Sequence, residues 1–160
     1  MKKIFCVLMI ICFVALAAAA AVAGEASASS RERCPVCNMY VDMFAKWNAT
    51  VEFKDADAPA VFCGAKCLFK YYLDLKKYNS AKSRDSIGKI LVKDYASRTE
   101  VDALSAHYVI WSDVYGPMGH EPIPFAKKAA AQKFQKEHKG KKIVRFQDVS
   151  LKLIHALDNP

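Results

Sequence analysis

A charge-free run from Ile4 to Val22 takes the first part of this chain out of any water-soluble fold. Those nineteen residues follow the basic start Met1-Lys2-Lys3 and end in a string of alanines, the three-part pattern of a secretory signal peptide. Two small-residue cleavage sites fit: Ala21-Val22-Ala23 before Gly24, which makes residues 1–23 the signal peptide, and Ala26-Ser27-Ala28, which moves the cut to 28. The alternative is an uncleaved anchor, since roughly 20 apolar residues cross a hydrocarbon core; the small residues directly after the run favour cleavage. Cys6 and Cys12 lie inside the run and leave with it, and neither has the setting of a lipid-attachment cysteine, so no lipid anchor is expected. The expected location is the periplasm or another extracytoplasmic space.

What remains from Gly24 onward is enough for one domain with a single core. Removing Lys2 and Lys3 from the 24 basic residues leaves an excess of six over the 16 acidic ones, with the lysines scattered rather than blocked. Without an aromatic and basic stacking platform, and outside the cytoplasm, nucleic acid is excluded as a partner. A scattered basic excess is compatible with weak peripheral attraction to an anionic membrane surface. Residues 24–33 are small and polar and read as a flexible lead-in; the folded domain is expected over 34–160.

Within that domain, Trp47 to Phe53 is rich in β-formers and Ala60-Val61-Phe62 follows an Asp55-Ala56-Asp57 turn, which predicts a hairpin. Leu68, Phe69, Tyr72 and Leu73 keep helical spacing, and Lys89 to Lys93 resumes as a strand. The second half repeats that order: a strand at Tyr108 to Trp111, a Gly and Pro loop from Gly116 to Pro124, an extended piece near Ile123, a helix from Ala126 to His138 capped by Gly140, and a strand at Ile143 to Phe146. Asp148 or Ser150 is placed to cap a last helix through Leu157. The fold class is α+β, with helices packed on mostly antiparallel strands.

Four cysteines survive export, Cys34 and Cys37 as C-x-x-C and Cys63 and Cys67 as C-x-x-x-C. In an oxidising compartment one reading is two disulfides. Against it, a C-x-x-C bridge closes a tiny loop and constrains little chain. A second reading is thiol redox chemistry, for which the first pair is poorly placed, since it follows a polar tail and no helix is announced after it. A third is zinc held by four thiolates, which leaves the methionines without a role. Copper(I), a soft cation, prefers thiolate and thioether donors. Met39 follows Cys37 by two residues, so in an extended segment the two side chains share a side. Met118-Gly119-His120 repeats the spacing in a glycine-rich loop. His107, His138 and His155 read as structural or surface residues.

These pieces resemble the NosL family of copper chaperones associated with nitrous oxide reductase maturation. The resemblance rests on Cys34-Pro35-Val36-Cys37-Asn38-Met39-Tyr40-Val41, on Ala60-Val61-Phe62 with Phe69-Lys70-Tyr71-Tyr72-Leu73, on Tyr108-Val109 leading through Gly116-Pro117-Met118-Gly119 to Pro124-Phe125, and on Val144-Arg145-Phe146 with Asp148-Val149. It implies two related β-β-α-β units and delivery of Cu(I) to nitrous oxide reductase or a related cuproenzyme, with a membrane transporter complex as partner and no enzymatic activity. It places the ligands at Cys34, Cys37, Met39 and Met118; His120 is added from local chemistry. Cys63 and Cys67 depart from the family pattern, as a second metal site, as extra ligands to one site, or as a redox gate. The rival class is a thiol-disulfide oxidoreductase that keeps a copper site or partner cysteines reduced.

Overall fold

A computed structural model describes residues 31–55 and 57–158, so the expected signal peptide and most of the lead-in lie outside the described residues. Strand β1, Ala49–Phe53, buries Ala49 and Val51 and turns Thr50 and Glu52 outward, the alternation a half-buried strand requires. It pairs antiparallel with β2, Ala60–Phe62, through Thr50 opposite Val61. It also pairs with β3, Ile87–Lys93, through Val51 opposite Ile90, and a bulge follows Glu52. Between β2 and β3 the chain crosses over through helix α1, Ala65–Leu73, and a further turn of helix α2, Leu75–Tyr78. A short strand β4, Glu100–Asp102, adds to the free edge of β3, giving the order β2-β1-β3-β4.

The second half repeats this plan. Strand β5, His107–Ile110, lies between β8, Ile123–Phe125, and β9, Lys142–Arg145, and helix α3, Lys128–Glu137, makes the crossover. In each half the first strand is central, flanked by the second and third. The repeat weakly visible in sequence is therefore a repeat of topology. The Gly and Pro loop is more ordered than expected. It folds into a small ribbon, β6, Tyr115–Gly116, against β7, Gly119–His120, with Gly119 supplying the positive φ of 79° at the turn. Pro124 sits on β8, an edge strand, where its missing N–H costs no ladder bond to a further neighbour.

Both faces of β5 are covered, which explains its uninterrupted apolar run. Tyr108 and Ile110 enter the main core with Phe62, Leu68 and Phe69, while Val109 packs on the other face with Ile123, Phe125 and Phe134 of α3. Helix α1 joins the halves: the Phe69 ring meets Tyr108 edge-on at 5.1 Å and Phe146 at 5.0 Å. The last helix, α4, Leu151–Ala156, starts at Ser150, whose hydroxyl accepts from the Leu153 N–H; Asp148 instead accepts from the Arg145 N–H ahead of a short 3-10 turn.

Helix α3 corrects one expectation. It ends in a 6→1 bond, the Gly140 N–H donating to the Gln135 carbonyl (2.9 Å), but the left-handed residue is Lys139, at φ 53°. Gly140 is there for space, since a Cβ at that position would stand 2.4 Å from Val109 Cγ1. Gly140→Ala is therefore expected to destabilise the fold by about 1–3 kcal/mol through overpacking, whereas Lys139→Gly gains about 1 kcal/mol by relieving the left-handed backbone. Denaturant unfolding of the two variants checks both signs.

Candidate metal centre

The C-x-x-C segment does not run extended. Cys34 N–H donates to the Met39 carbonyl and Asn38 N–H to the Cys34 carbonyl, both at 2.9 Å, and Asn38 takes a left-handed φ of 62°. Asn is among the residues that tolerate this conformation best. The segment is thus a closed turn, not the extended run in which Cys37 and Met39 would share a side. The turn is pinned at its base by an isolated bridge between Arg33 and Tyr40, and the Arg31 guanidinium makes a two-point contact with Asp42, 2.7 Å for each bond.

The second pair is delivered by a strand-to-helix junction. Strand β2 ends at Phe62, Cys63 follows, Gly64 is the N-cap of α1, and Cys67 lies in the first helical turn. Crossing the cap brings the Cys63 and Cys67 sulfurs to 3.6 Å, and the Cys37 sulfur stands 3.5 Å from that of Cys63. All four sulfurs lie within 4.8 Å of one another, and all four cysteines are free thiols. The two-disulfide reading is therefore not the state of this structure. Cys34, Cys63 and Cys67 are buried to 1% exposure or less; Cys37 is half-buried and forms the open side.

Packing thiols this closely in a dry place permits little negative charge. Hydrogen bonds from Cys63 and Cys67 hold the Cys34 thiol well below the ordinary thiol range, against the opposing effect of burial. Cys63 and Cys67 are pushed above that range, Cys63 chiefly by its bond to Cys34 and Cys67 by its bonds to Cys34 and then Cys63, with burial adding to both. The cluster therefore favours one thiolate, on Cys34, and keeps protons on its buried neighbours. A cation entering it must displace those protons.

The remaining candidate ligands come close in different ways. Met39 and Met118 both pack, half-buried, against the core that contains Cys34, Cys63 and Cys67. His120 lies on β7 with its ring 4.6 Å from that of Tyr115; its Nδ1 is buried without a hydrogen-bond partner, and the ring is not among the donors gathered within 4.8 Å.

What fixes Met118 was not foreseen from the sequence. Glu121, 1% exposed, accepts the Lys66 N–H of α1 (2.8 Å) and the Met118 N–H (3.2 Å). It supplies from across the fold the cap that Gly64 lacks. Gly64 makes room, since a Cβ there would stand 3.2 Å from the Glu121 carboxylate. The Lys66 ammonium, fully buried, donates to the Met118 carbonyl (2.6 Å) and to Asp158 (3.0 Å). Both polar groups of the Met118 backbone are thus tied to the helix that carries Cys67. The signals were a lone charge in each of two apolar stretches, Lys66 within Phe62 to Phe69 and Glu121 before Ile123 to Phe125.

The model of the NosL family matches residues 25–154. The chain belongs to the NosL family. Among solved structures, it is similar to the copper chaperone NosL from Shewanella denitrificans, at 22% identity and a TM-score of 0.64, covering 77% of this chain and 92% of that one. It also matches the apo-NosL protein from Achromobacter cycloclastes, at 20% identity and a TM-score of 0.47 over 66% of this chain and 87% of that one. No curated protein matches the chain significantly. The Shewanella likeness supports the two-half α+β fold of this NosL-family chain, and its four-cysteine cluster is a group that could hold a metal.

Two pH dependences follow. Burial lifts the Glu121 carboxyl from an ordinary 4.5 to about 7, against the pull of the Lys66 N–H and ammonium. A raised carboxyl favours folding while protonated, so its contribution is full below about 4.5 and is lost as pH rises through about 7. Unfolding of the metal-free protein across that range is expected to show this decline, and Glu121→Gln to flatten it. Affinity for a thiol-seeking cation has the opposite sign, rising with pH by about tenfold per unit for each proton displaced from the cluster. Metal titrations at two pH values check this, and a pH-independent affinity would contradict the protonated state assigned to Cys63 and Cys67.

Proposed function

We propose that this NosL-family protein is a non-enzymatic metallochaperone that binds Cu(I) outside the cytoplasm and passes it to a cuproenzyme such as nitrous oxide reductase. The observation that carries the reading is the gathering of four free thiol sulfurs within 4.8 Å. A soft monovalent ion is satisfied by two or three such donors, without a rigid shell. Half-buried Cys37 gives the ion a route in and out, and the Cys34 thiolate behind it retains the ion. Met39 and Met118 supply thioether donors at the margin, and His120 brings an unpartnered ring nitrogen.

Transfer in this scheme is ligand exchange, with an acceptor sulfur or imidazole replacing Cys37 first because Cys37 alone is reachable. The similarity to a Shewanella denitrificans protein described as a copper chaperone is in keeping with this role. A membrane transporter complex is a further partner in the proposal, with the basic excess aiding approach to an anionic surface. The oxidoreductase alternative fits less well. Its nucleophile must be a thiolate that a partner disulfide can reach, and the thiolate here, Cys34, is 1% exposed.

Titration of the reduced protein with Cu(I) against a competing chelator tests the reading. Uptake of about one equivalent is expected, with affinity weakened more than about tenfold by Cys37→Ser and to a smaller degree by Met118→Ala. If neither substitution changes binding, the proposed site is wrong.

A further inference from the structure

The basic excess is not spread over the fold. From Gly24 to Ala126 the chain carries 13 basic and 13 acidic side chains, whereas from Lys127 onward it carries nine basic ones against Glu137, Asp148 and Asp158. We propose that helix α3 and the turn after it form a lysine face that docks the domain on an anionic lipid bilayer, with the cysteine cluster turned away from the lipid. This assigns a site to the membrane approach in the proposed function and rests on that reading for the bilayer it meets.

Helix α3 gives only one face to the core, through Ala131 and Phe134. At about 100° per residue, Lys128, Gln132, Lys136, Ala129 and Lys133 follow one another along a continuous exposed arc. Lys127 before the helix and Lys139 and Lys141 after it are exposed as well. The carboxylates that meet this face are Glu137, 3.9 Å from Lys133, and Asp113, which pairs with His138 at 3.1 Å. Among the described residues the other lysines of the face have no ion pair. Helix stability does not call for this charge. Lys127 and Lys128 stand at the N-terminal end, where the helix dipole disfavours cations, and the first turn has no acidic residue. Beside them, the His107 imidazole is held below its ordinary range by burial and then by the charges of Arg145 and Lys128.

The chemistry of the arc selects the partner. A lysine ammonium is a mobile point charge on a flexible stem, suited to a fluid array of headgroups. Protein interfaces are instead centred on aromatic and arginine anchors in apolar surroundings. The arc sets only Ala129 and Gln132 between its lysines, and the exposed large hydrophobics among the described residues, Met43, Leu104 and Tyr115, lie on other elements. Docking is therefore electrostatic, without insertion into the acyl layer.

Orientation follows from the second sheet. Val109 and Ile143 pack with Phe134 of α3, while the alternate residues Tyr108 and Val144 enter the core that holds Leu68 and Phe69 of α1. Strands β8, β5 and β9 thus stand between the lysine face and α1, whose first turn carries Cys67. A bilayer seated on α3 leaves Cys37 open to water.

Flotation of the chain from Gly24 onward with vesicles of phosphatidylglycerol and phosphatidylcholine tests the proposal. Metal-free protein is expected to bind them at low salt, to leave vesicles of phosphatidylcholine alone unbound, and to be released at about 1 M salt, where screening acts within about 3 Å. A lysine near such a surface is worth about fivefold in partition, so Lys128→Gln, Lys133→Gln and Lys136→Gln together are expected to weaken binding about a hundredfold. Glutamine has nearly the helix propensity of lysine, so the fold persists. The same charge removed from exposed Lys76, Lys77 and Lys89, each to Gln, is expected to weaken binding less than about tenfold. Equal losses from the two triple variants, or equal binding to both kinds of vesicle, overturn the proposal. Absence of vesicle binding overturns it too, and retention on immobilised polyglutamate through the same lysines then assigns the face to an acidic protein. Alkylation of Cys37 is expected at an unchanged rate on the vesicle, and its protection there overturns the orientation. Because binding is read without copper, a failure here leaves the copper reading standing, and a failed copper titration leaves this one standing.

Discussion

Glu121 is a carboxylate with almost no access to water, and the joint between the two halves depends on the N–H groups it accepts. One belongs to the first turn of α1 and the other to Met118 at the tip of the β6–β7 ribbon. A buried carboxylate is tolerated only where its oxygens are bonded, so the residue that caps the helix also decides where the ribbon sits. Lys66 reinforces the joint from the opposite direction, with its ammonium on the Met118 carbonyl and on Asp158. Hydrogen bonds from Lys70 and Lys66 hold that Asp158 carboxyl below the usual range even though burial alone would raise it.

The cysteine cluster lies on the α1 side of this joint. Its four sulfurs need two backbone devices, a left-handed Asn38 that closes one turn and an N-cap without a side chain at Gly64, and both place donors more narrowly than a flexible loop would. The depth of burial then separates the roles of the sulfurs. Three are fixed in the core and one opens toward solvent. In the proposed carrier role the three buried sulfurs would retain the ion and the open one would begin its exchange.

Much of this architecture was legible in the sequence. The strands around Val51, Ile90, Val109 and Val144 are where period and β-branching put them, and the halves repeat with the second strand, then the first, then the third in spatial order. What periodicity could not reach was geometry set by distant partners. Cys63 and Cys67 read only as a C-x-x-x-C pair, because the helix cap that lies between them is made by Glu121, 54 residues after Cys67. Cys37 and Met39 looked aligned because an extended strand was assumed where Asn38 turns the chain. Gly140 looked like the left-handed cap, and Val109 is the reason it is glycine. In each case a tertiary contact outweighed a local rule.

The central claim is that copper is held by the sulfur cluster. X-ray absorption at the copper edge of the Cu(I)-loaded protein, read with alkylation of the thiols that remain, tests it most directly. The account predicts a first shell dominated by sulfur, with Cys34 and Cys37 both protected. A shell of nitrogen and oxygen donors, with all four thiols still reactive, would contradict it.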